Sequence, residues 1–195
     1  MQLIERLDAA RERWNLLEHP FYKRWSCGEL SRDELAHYAA EYRHAVVALA
    51  ETAAKTGNEE HAREESDHVW LWDDFAAVFG ADTNREPSPE TAECVVAWTA
   101  PEHRLEALAV MYAIEAGQPD VSQAKLDGLA EHYGVARDEP GAAYFALHAE
   151  RDHDHAAESR RALEDEDADA DHLVEVAESA LKGNWTLLDG VDARR

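Results

Sequence analysis

Apolar residues recur at helical spacing along nearly the whole chain, and no stretch sustains the two-residue alternation of a strand. The pattern predicts helices over 2–17, 20–27, 31–55, 58–79, 89–99, 102–117, 119–134, 138–165 and 170–189. Ordinary signals mark their ends: Gly80 before a polar turn, Pro87 and Pro89, Pro101, Gly117 with Pro119, Gly134, and Pro140 at a helix start. Ser31 with Glu34 three residues later forms a capping box for the third segment. The acidic run at 164–171 (EDEDADAD) reads as a solvated connector. With no repeat and no second composition regime, the expected architecture is all-α: a single-domain helical bundle over 1–195. Bundles of this kind build metal and ligand sites from side chains on facing helices.

Three of these helices carry polar groups on a stripe otherwise suited to burial. His148, Asp152 and His155 stand at i, i+4 and i+7, on one face with Phe145 and Leu163. Buried polar groups must be satisfied, and His and Asp are groups that transition metals accept. A solvated acidic face is the other reading of the same triplet, given Glu150, Asp154 and Glu158 nearby. In 102–117, Glu115 continues the stripe of Leu105, Leu108 and Tyr112, either as a ligand or as a helix end reaching solvent beside Gly117. In 58–79, His61, Glu64 or Glu65, and His68 line up with Trp72, Phe75 and Phe79. Taken together, His68, Glu115, His148, Asp152 and His155, with one more ligand from 60–65, make a mixed imidazole and carboxylate shell. The shell exceeds what one structural zinc needs and lacks thiolates, so it suits two metals bridged by a carboxylate.

Composition narrows the partners. The 195 residues include 42 Asp plus Glu against 19 Lys plus Arg, a formal charge of −23. Such a surface repels nucleic acid and anionic membranes. Heavy acid content with few lysines is also the pattern of proteins from a salt-rich, halophilic cytoplasm. Cys27 and Cys94 provide no disulfide framework, as expected of a reducing compartment. The opening MQLIERLDAARERW is charged from residue 5, unlike a signal peptide, and no apolar run approaches membrane length. A cytoplasmic location is the expectation.

The segments MYAIEAGQPDVSQAKLDGLAEHYGV and YFALHAERDHDHAAESRRAL resemble the haem-oxygenase-like di-metal oxidase superfamily, whose fold is shared with TenA-like and PqqC-like proteins. HPFYKRWSCGELSRDELAHYAAEYRHAV (19–46) resembles its opening helices, and HVWLWDDF (68–75) its ligand-bearing third helix. The resemblance is nearest to the branch that makes para-aminobenzoate, a folate-type precursor. It implies His68, Glu115, His148, Asp152 and His155 as ligands of two iron or manganese ions, alike or mixed, with O2 as co-substrate. The position seven residues before His68, a glutamate in that superfamily, is His61 here; His61 itself, Glu60, Glu64 or Glu65 would complete the shell.

The same resemblance implies that Tyr22 is a sacrificed ring, Lys125 an amino donor and Tyr38 a radical relay. A packing aromatic and a surface lysine are the plain alternatives for Tyr22 and Lys125. Yet in a chain with four lysines (23, 55, 125 and 182), one occupies this position. Other implied activities use an external small molecule, or follow the thiaminase-like and quinone-oxidase members of the fold. The thiaminase type needs an interior nucleophilic cysteine, and 102–117 has none. A non-catalytic metal- or partner-binding protein is a further possibility. Members of the superfamily commonly pair as homodimers.

Overall fold

The computed structural model describes residues 2–166 and 169–194. Nine α-helices and two short 3-10 turns account for the regular structure of these residues, with no strand among them. The helices are α1 (Leu3–Arg13), α2 (Pro20–Ser26), α3 (Arg32–Ala53), α4 (Glu59–Phe79), α5 (Pro89–Thr99), α6 (Arg104–Glu115), α7 (Gln118–His132), α8 (Ala143–Glu164) and α9 (Ala170–Asp192). Within the acidic run, residues 167 and 168 lie outside the described residues.

The expected caps set most of the boundaries. The Ser31 side chain accepts from the Glu34 amide while the Glu34 carboxylate accepts from the Ser31 amide, opening α3. Gly80 closes α4 in the left-handed conformation at φ 74°, and Asn58, not among the expected signals, opens it by accepting from the His61 amide. Two expected helices are corrected. The first stops at Arg13 rather than 17, because the Asn15 side chain accepts from the Leu17 amide and starts a separate 3-10 turn, Leu16–Glu18. The eighth does not run unbroken from 138: Pro140–Ala142 form a 3-10 turn before α8 begins at Ala143. That turn lies hard against α4, where a Cβ on Gly141 would stand 2.5 Å from a Val78 methyl carbon, so only glycine fits without a shift.

Two apolar clusters meet at α6. One joins α2, α3, α4 and α8 through aromatic rings; the other joins α1, α6 and α9 through aliphatic side chains. Residues 107–115 of α6 are all buried, the mark of a helix enclosed on every side. Glu115 ends that enclosed helix and therefore cannot reach solvent. Helix α8 packs on both α6 and α4, which brings the three polar stripes to one place in the interior.

A candidate metal centre and an aromatic chamber beside it

The polar stripes of α4, α6 and α8 converge on Glu65. Its Oε1 lies 3.1 Å from His68 Nδ1, 3.8 Å from His61 Nε2 and 3.9 Å from His155 Nδ1. Its Oε2 lies 4.0 Å from His148 Nε2. Across from it, Glu115 Oε1 stands 2.8 Å from His61 Nε2 and 3.9 Å from His155 Nδ1. Two sets of ligand atoms result, each with all atoms within 4.8 Å of one another: His61, Glu65, Glu115 and His155, and Glu65, His68 and His148. Glu65 belongs to both.

Five of the six expected ligands thus gather. Asp152 is buried beside them, with Oδ1 3.9 Å from His155 Nδ1, but stands outside both sets. Of the residues considered between 60 and 65, both His61 and Glu65 take places. Glu64 faces the other side of His155, and its Oε2 is 2.9 Å from His155 Nε2.

The imidazoles are oriented for coordination by what their far nitrogens touch. His148 Nδ1 lies 2.7 Å from the Tyr144 carbonyl, which can only accept, so Nδ1 carries the proton and Nε2 presents a lone pair inward. His155 donates from Nε2 to Glu64, itself held by Arg151 at 2.8 Å, and Nδ1 is left for the cluster. Eight buried atoms here make no hydrogen bond of acceptable geometry: His61 Nε2, Glu65 Oε1, His68 Nδ1, both Glu115 oxygens, His148 Nε2, Asp152 Oδ2 and His155 Nδ1. Such a concentration of unpartnered lone pairs is costly in a protein interior and becomes favourable around cations. Four imidazoles and two carboxylates without thiolate fit first-row transition metals such as iron or manganese.

Charge follows the same geometry. Burial drives the Glu115 carboxyl well above the usual range, with the Glu65 charge adding to it. Burial likewise raises Asp152, against the pull of His148. For Glu65, burial is outweighed by His148 and His68, which hold it below the ordinary carboxylate range. Burial lowers His61 and His155, which keeps them in the neutral form that binds metal.

The three residues expected to carry the chemistry come together in a second chamber. The ammonium of Lys125, 1% exposed, faces the rings of Tyr22 at 5.2 Å, Tyr38 at 5.5 Å, Tyr42 at 5.0 Å, Trp72 at 5.8 Å and Phe145 at 5.0 Å. Burial, with no carboxylate to offset it, pushes this amine down to about 7. The Tyr22 and Tyr38 hydroxyls are 3.1 Å apart, and burial raises both phenols. Two backbone devices fix the chamber. His19 caps α2 by accepting from the Phe21 amide ahead of Pro20, which aims Tyr22 inward. On α7, the Trp25 indole donates to the Lys125 carbonyl at 3.3 Å, an approach made possible by Gly128, where a Cβ would stand 2.5 Å from Trp25 Nε1.

Trp72 and Tyr144 connect the two places. Trp72 packs 5.8 Å from Tyr38 and 4.9 Å from Tyr144, ring centre to ring centre; Tyr144 stacks on His148 at 4.0 Å. The sequence marked Trp72 as a core stripe residue and gave no sign of Tyr144, whose partner His148 is four residues along the same helix.

The fold is haem-oxygenase-like. A domain of that fold from Shewanella denitrificans superposes with TM-score 0.79 at 19% identity, covering 99% of this chain and 93% of that one. A TenA homologue from P. horikoshii gives 0.76 at 13% identity, covering 98% of both. A family described as iron-containing redox enzyme matches residues 27–189, and the chain belongs to it. It is therefore an oxidoreductase. Among named relatives, the 4-aminobenzoate synthase of Chlamydia muridarum is 30% identical over 97% of this chain and 89% of its own length. That of Nitrosomonas europaea is 28% identical over 96% and 89%. No helix of the described residues is long and apolar enough to cross a membrane.

Proposed function

We propose that this chain is a metal-dependent 4-aminobenzoate synthase that draws the ring from its own Tyr22 and the nitrogen from Lys125, once per molecule. The observation that carries the reading is the Lys125 amine, buried 5.2 Å from the Tyr22 ring with no carboxylate partner. An interior lysine held only by aromatic faces is costly for stability, and an amine pushed down to about 7 is neutral, hence nucleophilic, in a substantial fraction of chains near neutrality. A plain core position would hold methionine or leucine instead.

His61, Glu65, Glu115 and His155 would hold one metal ion; His68 and His148, with Glu65 in common, would hold the other. Iron or manganese bound there would supply one-electron oxidising power from O2. The chain's own residues do the rest. Tyr144, Trp72 and Tyr38 offer a row of oxidisable rings from His148 to Tyr22. With Tyr38 oxidised to its neutral radical, the Tyr22 hydroxyl 3.1 Å away can give it a hydrogen atom, which returns Tyr38 to the phenol. The aromatic walls keep water from the amine and from the ring it would join.

The test is to load the purified chain with iron and manganese under reducing conditions, admit air, and assay for 4-aminobenzoate. The supporting result is product labelled from ring-13C tyrosine and 15N-lysine in the protein, with a mass loss at residue 22. Product formed by a Tyr22→Phe variant, or an undamaged Tyr22 after the reaction, overturns the self-sacrificing reading in favour of an external substrate.

A further inference from the structure

The chamber has a neighbour with open hydrogen-bonding capacity. A cleft of about 100 Å³ lies between α1, α6, α7 and α9. Trp14, Leu17 and Val121 give it apolar walls, Asn184 and Gln118 stand among its lining, and Arg11 joins them from α1. Two buried polar atoms of that lining have no partner: Asn184 Oδ1, an acceptor, and Arg11 Nε, a donor. Asn184 is 2% exposed and uses its amide nitrogen to donate to the Tyr42 hydroxyl at 3.3 Å. The Tyr42 ring is in turn 5.0 Å from the Lys125 ammonium. The deep end of the cleft is thus one side chain away from the chamber. Two other clefts lead to the metal cluster instead, one lined by Asn58, His61 and Glu158, the other by Asp152 and Ala156.

We infer that this cleft is a binding site for a small aromatic amino acid of the aminobenzoate class, its amine on Asn184 Oδ1 and its carboxylate on Arg11, through which the product leaves. Both orphaned atoms are thereby satisfied by one planar molecule: a donor at the buried end, an acceptor at the half-buried one. The apolar walls suit the ring between them. Glu12 and Asp120 also line the cleft, and Asp8 contacts the Arg11 guanidinium at 3.4 Å, so the carboxylate meets mixed charge. Binding is accordingly weak and release favoured, as a product site requires. The choice of ligand rests on the synthase reading above; the site itself rests on the cleft and its two unpartnered atoms.

The probe is 4-aminobenzoate added to the purified chain without air, so that no turnover occurs, with binding followed by saturation-transfer NMR. Saturable binding is expected, with aniline and benzoate each about tenfold weaker, because each satisfies one orphaned atom and leaves the other. Arg11→Gln should weaken 4-aminobenzoate and benzoate about tenfold and leave aniline unchanged, while Asn184→Leu should weaken 4-aminobenzoate and aniline about tenfold and leave benzoate unchanged. Arg11 is half-exposed, so its variant keeps the test open if Asn184→Leu fails to fold. No saturable binding, or equal affinity for all three probes, overturns the inference. A chain that binds 4-aminobenzoate this way but never makes it would sink the synthase reading and leave the site standing. A chain that makes it with binding indifferent to Arg11 would do the opposite.

Discussion

Glu64 and His155, 91 residues apart in sequence, meet at 2.9 Å between Oε2 and Nε2. This contact decides which imidazole nitrogen the metal cluster receives. With the Nε2 proton held by the carboxylate, Nδ1 is the free lone pair, 3.9 Å from Glu65, Glu115 and Asp152 alike. Arg151 steadies Glu64 from the solvent side. Carboxylates in this position commonly matter nearly as much as ligands do.

Glu64→Ala should therefore lower metal affinity by roughly 10- to 100-fold, and Glu64→Gln, which still accepts from Nε2, should recover most of it. A chelator competition titration reads both. Equal affinity in parent and alanine variants would show that Glu64 is a surface residue with no hold on the site.

Glu65 stands in both ligand sets, so its loss should be felt twice. Glu65→Ala should abolish loading of both ions, whereas Asp152→Asn should weaken loading while leaving bound metal detectable. Elemental analysis per chain, with His148→Ala as the comparison, distinguishes these outcomes. Full occupancy in Glu65→Ala would remove it from the shell and return the sixth place to Asp152.

Lys125 should make stability rise with pH. Its amine titrates at about 7 in the folded chain against an ordinary 10.5. Between those values the unfolded chain binds a proton that the folded chain does not, so folding becomes more favourable as pH climbs through that window. Below about pH 7 both states are protonated and the burial penalty is full and constant. Lys125→Met should accordingly stabilise by a few kcal/mol at about pH 6, with a gain that shrinks toward about pH 10. Urea denaturation at the two ends of the range measures it; a pH-independent difference would mean the buried amine is not displaced in its titration.

Gly128→Ala should destabilise by about 1–3 kcal/mol although alanine is the better helix former. The added methyl meets the Trp25 indole at 2.5–2.6 Å and must displace it, breaking the hydrogen bond to the Lys125 carbonyl. A raised urea midpoint would show that Trp25 can move aside freely.

The helix plan was legible because its signals are local. Ser31 with Glu34, Pro89 and Gly80 each act within one turn. The end of α1 was not, since Leu16 and Leu17 continue the apolar pattern past the point where Asn15 turns the chain. For the site, the face of α4 was readable, but not the division of labour between Glu64 and Glu65. That depends on where α8 sets Arg151 and His155, roughly ninety residues away. The walls around Lys125 come from α2, α3, α4 and α8, and no spacing along one helix announces such a meeting.

Tyr22 is 1% exposed and packs against Phe21, Tyr38 and the Lys125 ammonium. On the reading proposed here, a chain that gives up this ring hollows out its own interior. Truncating a buried aromatic commonly costs about 3–5 kcal/mol, a large share of what holds a domain folded. A spent molecule is then a softer one, marked for unfolding and proteolysis by the act that made its product. Output would track the rate of synthesis of the protein rather than any turnover number.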